Sequence, residues 1–447
     1  MLRPSQGLYW PLLEDTLRNR PNRVGSEPAQ SVVVRRHRPK YQIALVVGLL
    51  LLLGLIVMYA IGPQRANLLN YAYGSSYSDT YFFNKQLVSA IIAIVAFAAC
   101  AIIPYKLFTE KYSKHVFIIG LALCFLLVFM GAVLHLEMAT DTNGAYRWFY
   151  LGSLGSFQPS ELLKLGSLLF VSGFLGMRAK QGKINNVQET LIPLGIALGM
   201  ALFAVVVLQK DLGTGIALLA IVMTMLVASG MKWSMLGKIV GVLVAAGLVF
   251  IVSAPHRMER VMTFMQGDSN TTSVDENSYH IAQARIAIGS GGFLGLGIGK
   301  SVQSTGYLPE AINDSIFAIM GETFGFVGLV AILVLFSVLL LSLLKVAARL
   351  PDMSLRLLVV GVFGWVGSHV ILNVAAMTGV APLTGIPLPL LSYGGTSMLF
   401  IAASLGLAFQ LSRYTTHKPI EEGALRDEDS SSRRRVGRPR YASRSGL

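Results

Sequence analysis

Asp314 is the residue whose type and placing most suggest chemistry. It closes a polar, glycine-rich stretch and is followed at once by an apolar run beginning at Ile316. A carboxylate kept where water meets hydrocarbon is costly, so it is a functional candidate by default. Suitably positioned, it can take the proton from a hydroxyl as that hydroxyl attacks an electrophile. The competing role is to N-cap the helix starting near Ser315, a position that favours Asp. The roles are compatible, because one oxygen can cap while the other faces a substrate. Glu322 lies on nearly the same helix face, roughly 12 Å deeper by helical rise, where a charge needs a partner or a proton.

Upstream, the glycine run from Gly289 to Ser301 invites a phosphate-loop reading. It fails on register: a Walker motif ending in Gly299-Lys300-Ser301 needs glycine at 294, and that residue is leucine. What remains is backbone able to turn tightly or approach a ligand closely, either as a structural turn or as a substrate-lining loop. A second cluster comprises Arg147-Trp148 and Gln158-Pro159-Ser160-Glu161 with Lys164. Proline and Glu161 suit a helix N-terminus. Lys164, one turn inside an apolar span, needs a partner: Glu161 on its own helix, or Asp211, which opens another helix from the same side. The favoured reading is a Lys164–Asp211 interhelical pair, with Glu161 and Glu322 counted among the same structural ionic groups. Arg147, Lys210, Arg257 and Arg260 are cations that could meet a phosphate, against the commoner outcome of solvated loop charge. Residues 381–397 hold three prolines and three glycines at membrane depth. Such backbone is tolerated there only when buried in protein or lining a cavity.

The elements that must carry these residues are membrane spans. The 447 residues are 53% hydrophobic and 13% charged, half the charge of an ordinary soluble domain. About ten segments reach spanning length, near 41–62, 84–104, 115–136, 160–177, 190–208, 212–229, 234–254, 316–344, 355–379 and 395–413. The chain is therefore read as an all-α polytopic membrane protein with about ten transmembrane helices. A basic tail (1–40) precedes the spanning domain (41–413), a large extracytoplasmic loop (255–313) separates helices seven and eight, and a disordered tail (414–447) follows.

The net charge of +14 gathers in the tails and alternate links, which implies topogenic charge and excludes a nucleic-acid surface. With an even span count both tails are cytoplasmic, and Asp314 faces outward. Within the large loop, 281–288 suits a short amphipathic helix at the membrane surface. Cys100 and Cys124 each sit in an apolar run and read as buried hydrophobes, with no disulfide framework or cysteine metal cluster. The polar, basic first 40 residues carry no cleaved signal peptide; the first span serves as the insertion signal.

Taken together the motifs resemble the SEDS family (shape, elongation, division and sporulation), the membrane peptidoglycan polymerases that include FtsW, RodA and SpoVE. The likeness covers nearly all of 41–413. It rests on Arg147-Trp148, Gln158-Pro-Ser-Glu161 with Lys164, Asp211-Leu-Gly-Thr214, Ala287-Ile-Gly-Ser-Gly-Gly292, Leu308-Pro-Glu310, Asp314-x-Ile-Phe-Ala, Gly321-Glu322 and Thr384-Gly-Ile-Pro-Leu-Pro-Leu-Leu-Ser-Tyr-Gly-Gly395. The chain departs from the family pattern at Ile312-Asn313, in place of His-Thr, and at Ser315, in place of Phe. It also has His280 where Gln is common, Thr323 where a second Glu is usual, and Lys210 where Pro is common.

The resemblance implies a glycosyltransferase that polymerises lipid II, the undecaprenyl-pyrophosphate-linked disaccharide-peptide, on the outer face of the bacterial cytoplasmic membrane. Asp314 would be its general base. Arg147, Lys210, Arg257, Arg260, Gln283, Ser290, Glu310, Ser392 and Tyr393 would be substrate contacts. No cofactor is certain, though a divalent cation (Mg or Mn) could stabilise the leaving pyrophosphate. Expected partners are a class B penicillin-binding protein and other division or elongation proteins. The tails look more like the FtsW branch, which implies the division septum. The competing classes are a lipid II flippase, which would favour repeats and midplane polar residues, and a non-catalytic division scaffold.

Overall fold

The structure is a computed structural model that describes residues 38–415, apart from 140, 142–143, 153–154 and 253–275. The expected tails, except for their innermost residues, and Arg257 and Arg260 lie outside the described residues. Helices dominate: α1 (Tyr41–Tyr73), α2 (Tyr81–Ile102), α3 (Ser113–Ala132), α4 (Pro159–Lys180), α5 (Val187–Leu208, π-helical at both ends), α6 (Leu212–Ala228), α7 (Trp233–Val252), α8 (Glu276–Ser290), α9 (Ile316–Ala348), α10 (Met353–Met377) and α11 (Gly395–Leu411). A two-residue antiparallel pair, β1 (Phe149–Tyr150) with β2 (Ser156–Phe157), folds the link before α4 onto itself. Eight of the helices are long and apolar enough to span a membrane, while α6 and the described part of α7 are shorter apolar helices.

Each expected segment coincides with one helix, and two helices depart from expectation in extent. α1 continues past its apolar run through Gln64, Arg65 and Asn70 to a left-handed Gly74, which ends it. At 33 residues it is about 50 Å long by helical rise, so it projects beyond a hydrocarbon core of about 30 Å. α8 is longer than 281–288 and does not lie free on a surface. Ala284 and Ala287 are fully buried and His280 nearly so, because the helix packs against α9.

α10 is the hub and packs against α4, α6 and α9, while α2 pairs with α11 and α3 with α4. Burial separates the roles: 89% of the apolar window of α11 is enclosed, against 22% in α2 and α5. Thus α11 is a core helix and the other two face lipid. Without a hydrophobic force between helices in lipid, close backbone approach drives their packing. At the α3–α4 crossing a Cβ on Gly120 would lie 2.8 Å from Leu163 Cα, and one on Gly166 2.7 Å from Phe117 Cα.

The glycine run docks on a break in α9. Gly325 leaves helical geometry there (φ 67°, ψ −167°), in a region of backbone space open essentially to glycine alone. The freed carbonyls of Glu322 and Thr323 accept from the N–H groups of Leu296 (2.9 Å) and Gly297 (3.1 Å). In return the N–H groups of Phe326 and Val327 donate to the carbonyls of Gly292 (2.9 Å) and Phe293 (3.2 Å). The break therefore leaves these polar groups satisfied, as burial requires.

Candidate active site at the N-terminal end of α9

The N-cap of α9 is Ser315, which makes no side-chain capping bond, and Asp314 stands one residue before the cap position. Asp314 Oδ1 is buried and has no hydrogen-bond partner. Across from it lies the backbone of Gly385: a Cβ there would stand 4.0 Å from Asp314 Oδ2. Burial, reinforced by the neighbouring charge of Glu310, pushes the Asp314 carboxyl up to about 7, against a weaker pull from the backbone N–H groups of Asp314 and Ser315. A carboxylate that shares its proton evenly near neutral pH is suited to accepting one in a reaction.

Three contacts position it. Asn373 of α10 spends both amide hydrogens on carbonyls, those of Asp314 (2.7 Å) and Ile386 (2.8 Å). The residue 381–394 segment is thereby tied to Asp314. The Tyr393 N–H donates to the Ile312 carbonyl at 2.8 Å, a second tie between the same segments. The third contact joins two of the family departures. His280 Nε2 lies 2.5 Å from Ser315 Oγ, which is 2.8 Å from the Pro309 carbonyl. A carbonyl only accepts, so the single Ser315 hydrogen goes to Pro309 and His280 Nε2 carries the proton donated to Ser315. α8 thereby holds the Leu308-Pro309-Glu310 turn and the start of α9 together.

Glu310 is exposed and left-handed (φ 49°). Its carbonyl accepts from the N–H groups of Asn313 (2.9 Å) and Ser315 (3.2 Å), and its carboxylate accepts from the Asn313 amide. Among the described residues no group of three or more His, Cys, Asp or Glu is arranged to hold a metal. Glu310 and Asp314 do not by themselves make a ligand set.

The expected ionic pairs are corrected. Lys164 does not pair with Asp211. Its ammonium lies 2.9 Å from Glu161 Oε1, one turn away on α4, 3.4 Å from His369 Nε2 and 5.1 Å from the centre of the Trp365 ring. His369 Nδ1 faces the Pro387 carbonyl at 3.3 Å. The proton must therefore sit on Nδ1, and Nε2 accepts from Lys164. Asp211 instead N-caps α6, accepting from Thr214 N (2.9 Å) and Thr214 Oγ1 (2.8 Å), and from Gln158 Nε2 (3.2 Å). A same-helix partner needs no interhelical registration, and the positive end of α6 claims Asp211. Among the described residues Glu322 has no cationic partner; it is a buried acceptor for Ser301 Oγ (2.5 Å) and the Val302 N–H (2.9 Å), and it also receives the Gln303 N–H at 3.3 Å.

Arg147 and Lys210 do come together, bound to backbone. The Arg147 guanidinium donates to the carbonyls of Gln209 (3.1 Å) and Lys210 (2.7 Å), while Lys210 Nζ donates to the Gly144 carbonyl (2.7 Å). This knot adjoins the start of α6, where a Cβ on Gly213 would collide with the Thr384 carbonyl. The start of α6 thereby abuts the Thr384-Gly385 backbone that faces Asp314. The other expected contacts are more structural. Ser392 Oγ accepts from Leu388 N (2.7 Å), Ser290 Oγ donates to the Ala287 carbonyl (2.9 Å), and Gln283 is half-buried on α8. Burial, with Tyr81 and Tyr77 nearby, pushes the Tyr393 hydroxyl up to about 12, so it stays a neutral donor.

Sequence reading missed His369 and Asn373. Their signal was available: Trp365, His369 and Asn373 recur every four residues, a stripe with polar members inside an otherwise apolar span.

Fold and site together define an integral membrane protein, a helical bundle with a buried, proton-sharing carboxylate at one end. The chain belongs to the FtsW/RodA/SpoVE family, described as cell cycle proteins, whose profile matches residues 41–417. It is similar to stage V sporulation protein E of Bacillus subtilis, 31% identical over 86% of this chain and 100% of that protein. It is also 32% identical to a protein of Taylorella equigenitalis named probable peptidoglycan glycosyltransferase FtsW, over 81% of this chain and 94% of the relative. Among solved structures, Thermus thermophilus RodA shares the fold at a TM-score of 0.59 and 24% identity, covering 85% of this chain and 98% of that one. So does a chain from a peptidoglycan synthase complex, at 0.62 and 24%, covering 84% and 98%.

Proposed function

We propose that this chain is a peptidoglycan glycosyltransferase that polymerises lipid II, with Asp314 as general base. The observation that carries the assignment is the unpartnered, buried Oδ1 of a carboxyl pushed up to about 7. Asp314 takes the proton of the acceptor sugar hydroxyl while that oxygen bonds to the anomeric carbon of the donor. The bond to the pyrophosphate breaks, and its electron pair leaves with the undecaprenyl pyrophosphate. Cationic donors beside the site favour the departing charge. Lys210 is exposed and belongs to the Arg147 knot, which makes this pair the preferred phosphate contacts.

Both substrates are lipid-anchored, which suits a base at a bundle end. The charge distribution supports an outward position for that end and cytoplasmic termini. The relatives named FtsW support work at the septum with a class B penicillin-binding protein.

The test is strand synthesis from lipid II in detergent by the purified protein with its partner. Asp314→Asn is expected to lower the rate by about a hundredfold or more without loss of folding. Undiminished synthesis by the variant would sink the assignment of the base. Lipid II translocation without synthesis by wild type would favour the flippase reading.

A further inference from the structure

At the end of the bundle opposite Asp314, three chain segments close around a cavity of about 210 Å³ lined by Arg38, Lys40, Lys345, Arg349, Ser412 and Thr415. Arg38 and Lys40 precede α1, Lys345 and Arg349 close α9, and Ser412 and Thr415 follow α11. The Lys40 N–H donates to Ser412 Oγ at 2.8 Å. Just inside, Ser342 Oγ donates to Gln42 Oε1 at 3.1 Å. These bonds hold the segments in register, so the cavity is part of the frame.

Among the described residues the charge balance there is one-sided. The C-termini of α9 and α11 point to this end, each worth about half a negative charge. Against them stand Arg38, Lys40 and Lys345, with Arg349 beside them. Arg38, Lys40 and Lys345 have no carboxylate partner among the described residues. Burial, with Lys345 and Arg349 close by, pushes the Lys40 ammonium below its usual value. Mutual repulsion of this kind is relieved by an anion placed between the cations.

We infer that this cavity is a binding site for a phosphate-bearing anion. Ammonium and guanidinium donors from two segments match the several acceptor oxygens of a phosphate ester, while the Ser412 and Thr415 hydroxyls of the third donate to the Phe409 and Ser412 carbonyls and shape the wall. The group can come from the headgroup of an anionic phospholipid, favoured by the place of the cavity at the ends of membrane-spanning helices, or from free phosphate.

The test measures retention of phosphatidylglycerol and phosphatidylcholine on the full chain in detergent by native mass spectrometry, and thermal unfolding with inorganic phosphate. The variant is Arg38→Gln with Lys345→Gln, both exposed side chains. The control is Lys111→Gln with Lys114→Gln, cations in the link before α3 and in its first turn, at the same end. Phosphatidylglycerol should be held roughly thirtyfold more weakly by the variant, for two surface cations removed. The control and phosphatidylcholine should be unaffected. A rise in unfolding temperature with inorganic phosphate, seen in wild type and lost in the variant, would support the site and identify a soluble source. If the double variant does not fold, Lys345→Gln alone carries the test with about a fivefold loss. The inference is overturned if neither probe separates wild type from variant, or if the control pair loses phosphatidylglycerol equally.

Discussion

Asp314 has a carboxyl whose proton is held more tightly in the folded protein than in the unfolded chain, with consequences for rate and stability. A proposed base must be ionised to accept a proton, so kcat/KM for strand synthesis should rise with pH along an acidic limb with its midpoint near the site value of about 7. The stability effect runs the other way. A folded-state value above the ordinary carboxylate value of about 4 means that stability is fully present below that value and is lost as pH rises through 7. Asp314→Asn removes the buried charge. The variant should therefore match wild type in stability below about pH 4 and exceed it by up to about 4 kcal/mol at pH 8, read as a higher unfolding temperature. Equal pH dependence in the two proteins would contradict the burial that sets this value. The sequence made Asp314 legible because a lone carboxylate at the edge of an apolar run has few ordinary explanations. Its supports were hidden. Asn373 lies 59 residues away, and nothing local to Asp314 says which distant amide will hold its carbonyl.

At the scale of elements, apolar runs were long enough to mark each span, because a bilayer fixes the length a span needs. Their ends were less legible, since α1 stops at the left-handed Gly74 rather than where its apolar residues stop. The glycine run was open between turn and substrate loop for a similar reason: its partner, the break at Gly325, becomes visible only when both are placed together. That partnership can be tested. A Cβ at Gly325 would run into the backbone of Phe293 and Leu294 and would impose a side chain on a glycine-only conformation. Gly325→Ala should cost on the order of 3 kcal/mol or more, read as a lower midpoint of denaturant unfolding. An unchanged midpoint would mean that the α9 break does not depend on glycine.

Across the whole molecule, polar function divides between two ends joined by α9. Its start carries Asp314 and its last turn carries Lys345. The crossing direction of that helix therefore decides which compartment meets the base. Lipid II polymerisation requires the outer one, and the basic links argue for it by the positive-inside rule. Thiol labelling decides the matter. Thr305, near the Asp314 end, and Gln181, just past α4 at the other end, are both exposed. The native thiols give little background: Cys124 is buried and Cys100 half-buried within spans. A membrane-impermeant maleimide applied to intact spheroplasts should label Thr305→Cys at once and Gln181→Cys only after permeabilisation. The opposite pattern would place Asp314 in the cytoplasm, away from outer-face strand synthesis, and the proposed base would have no substrate to act on.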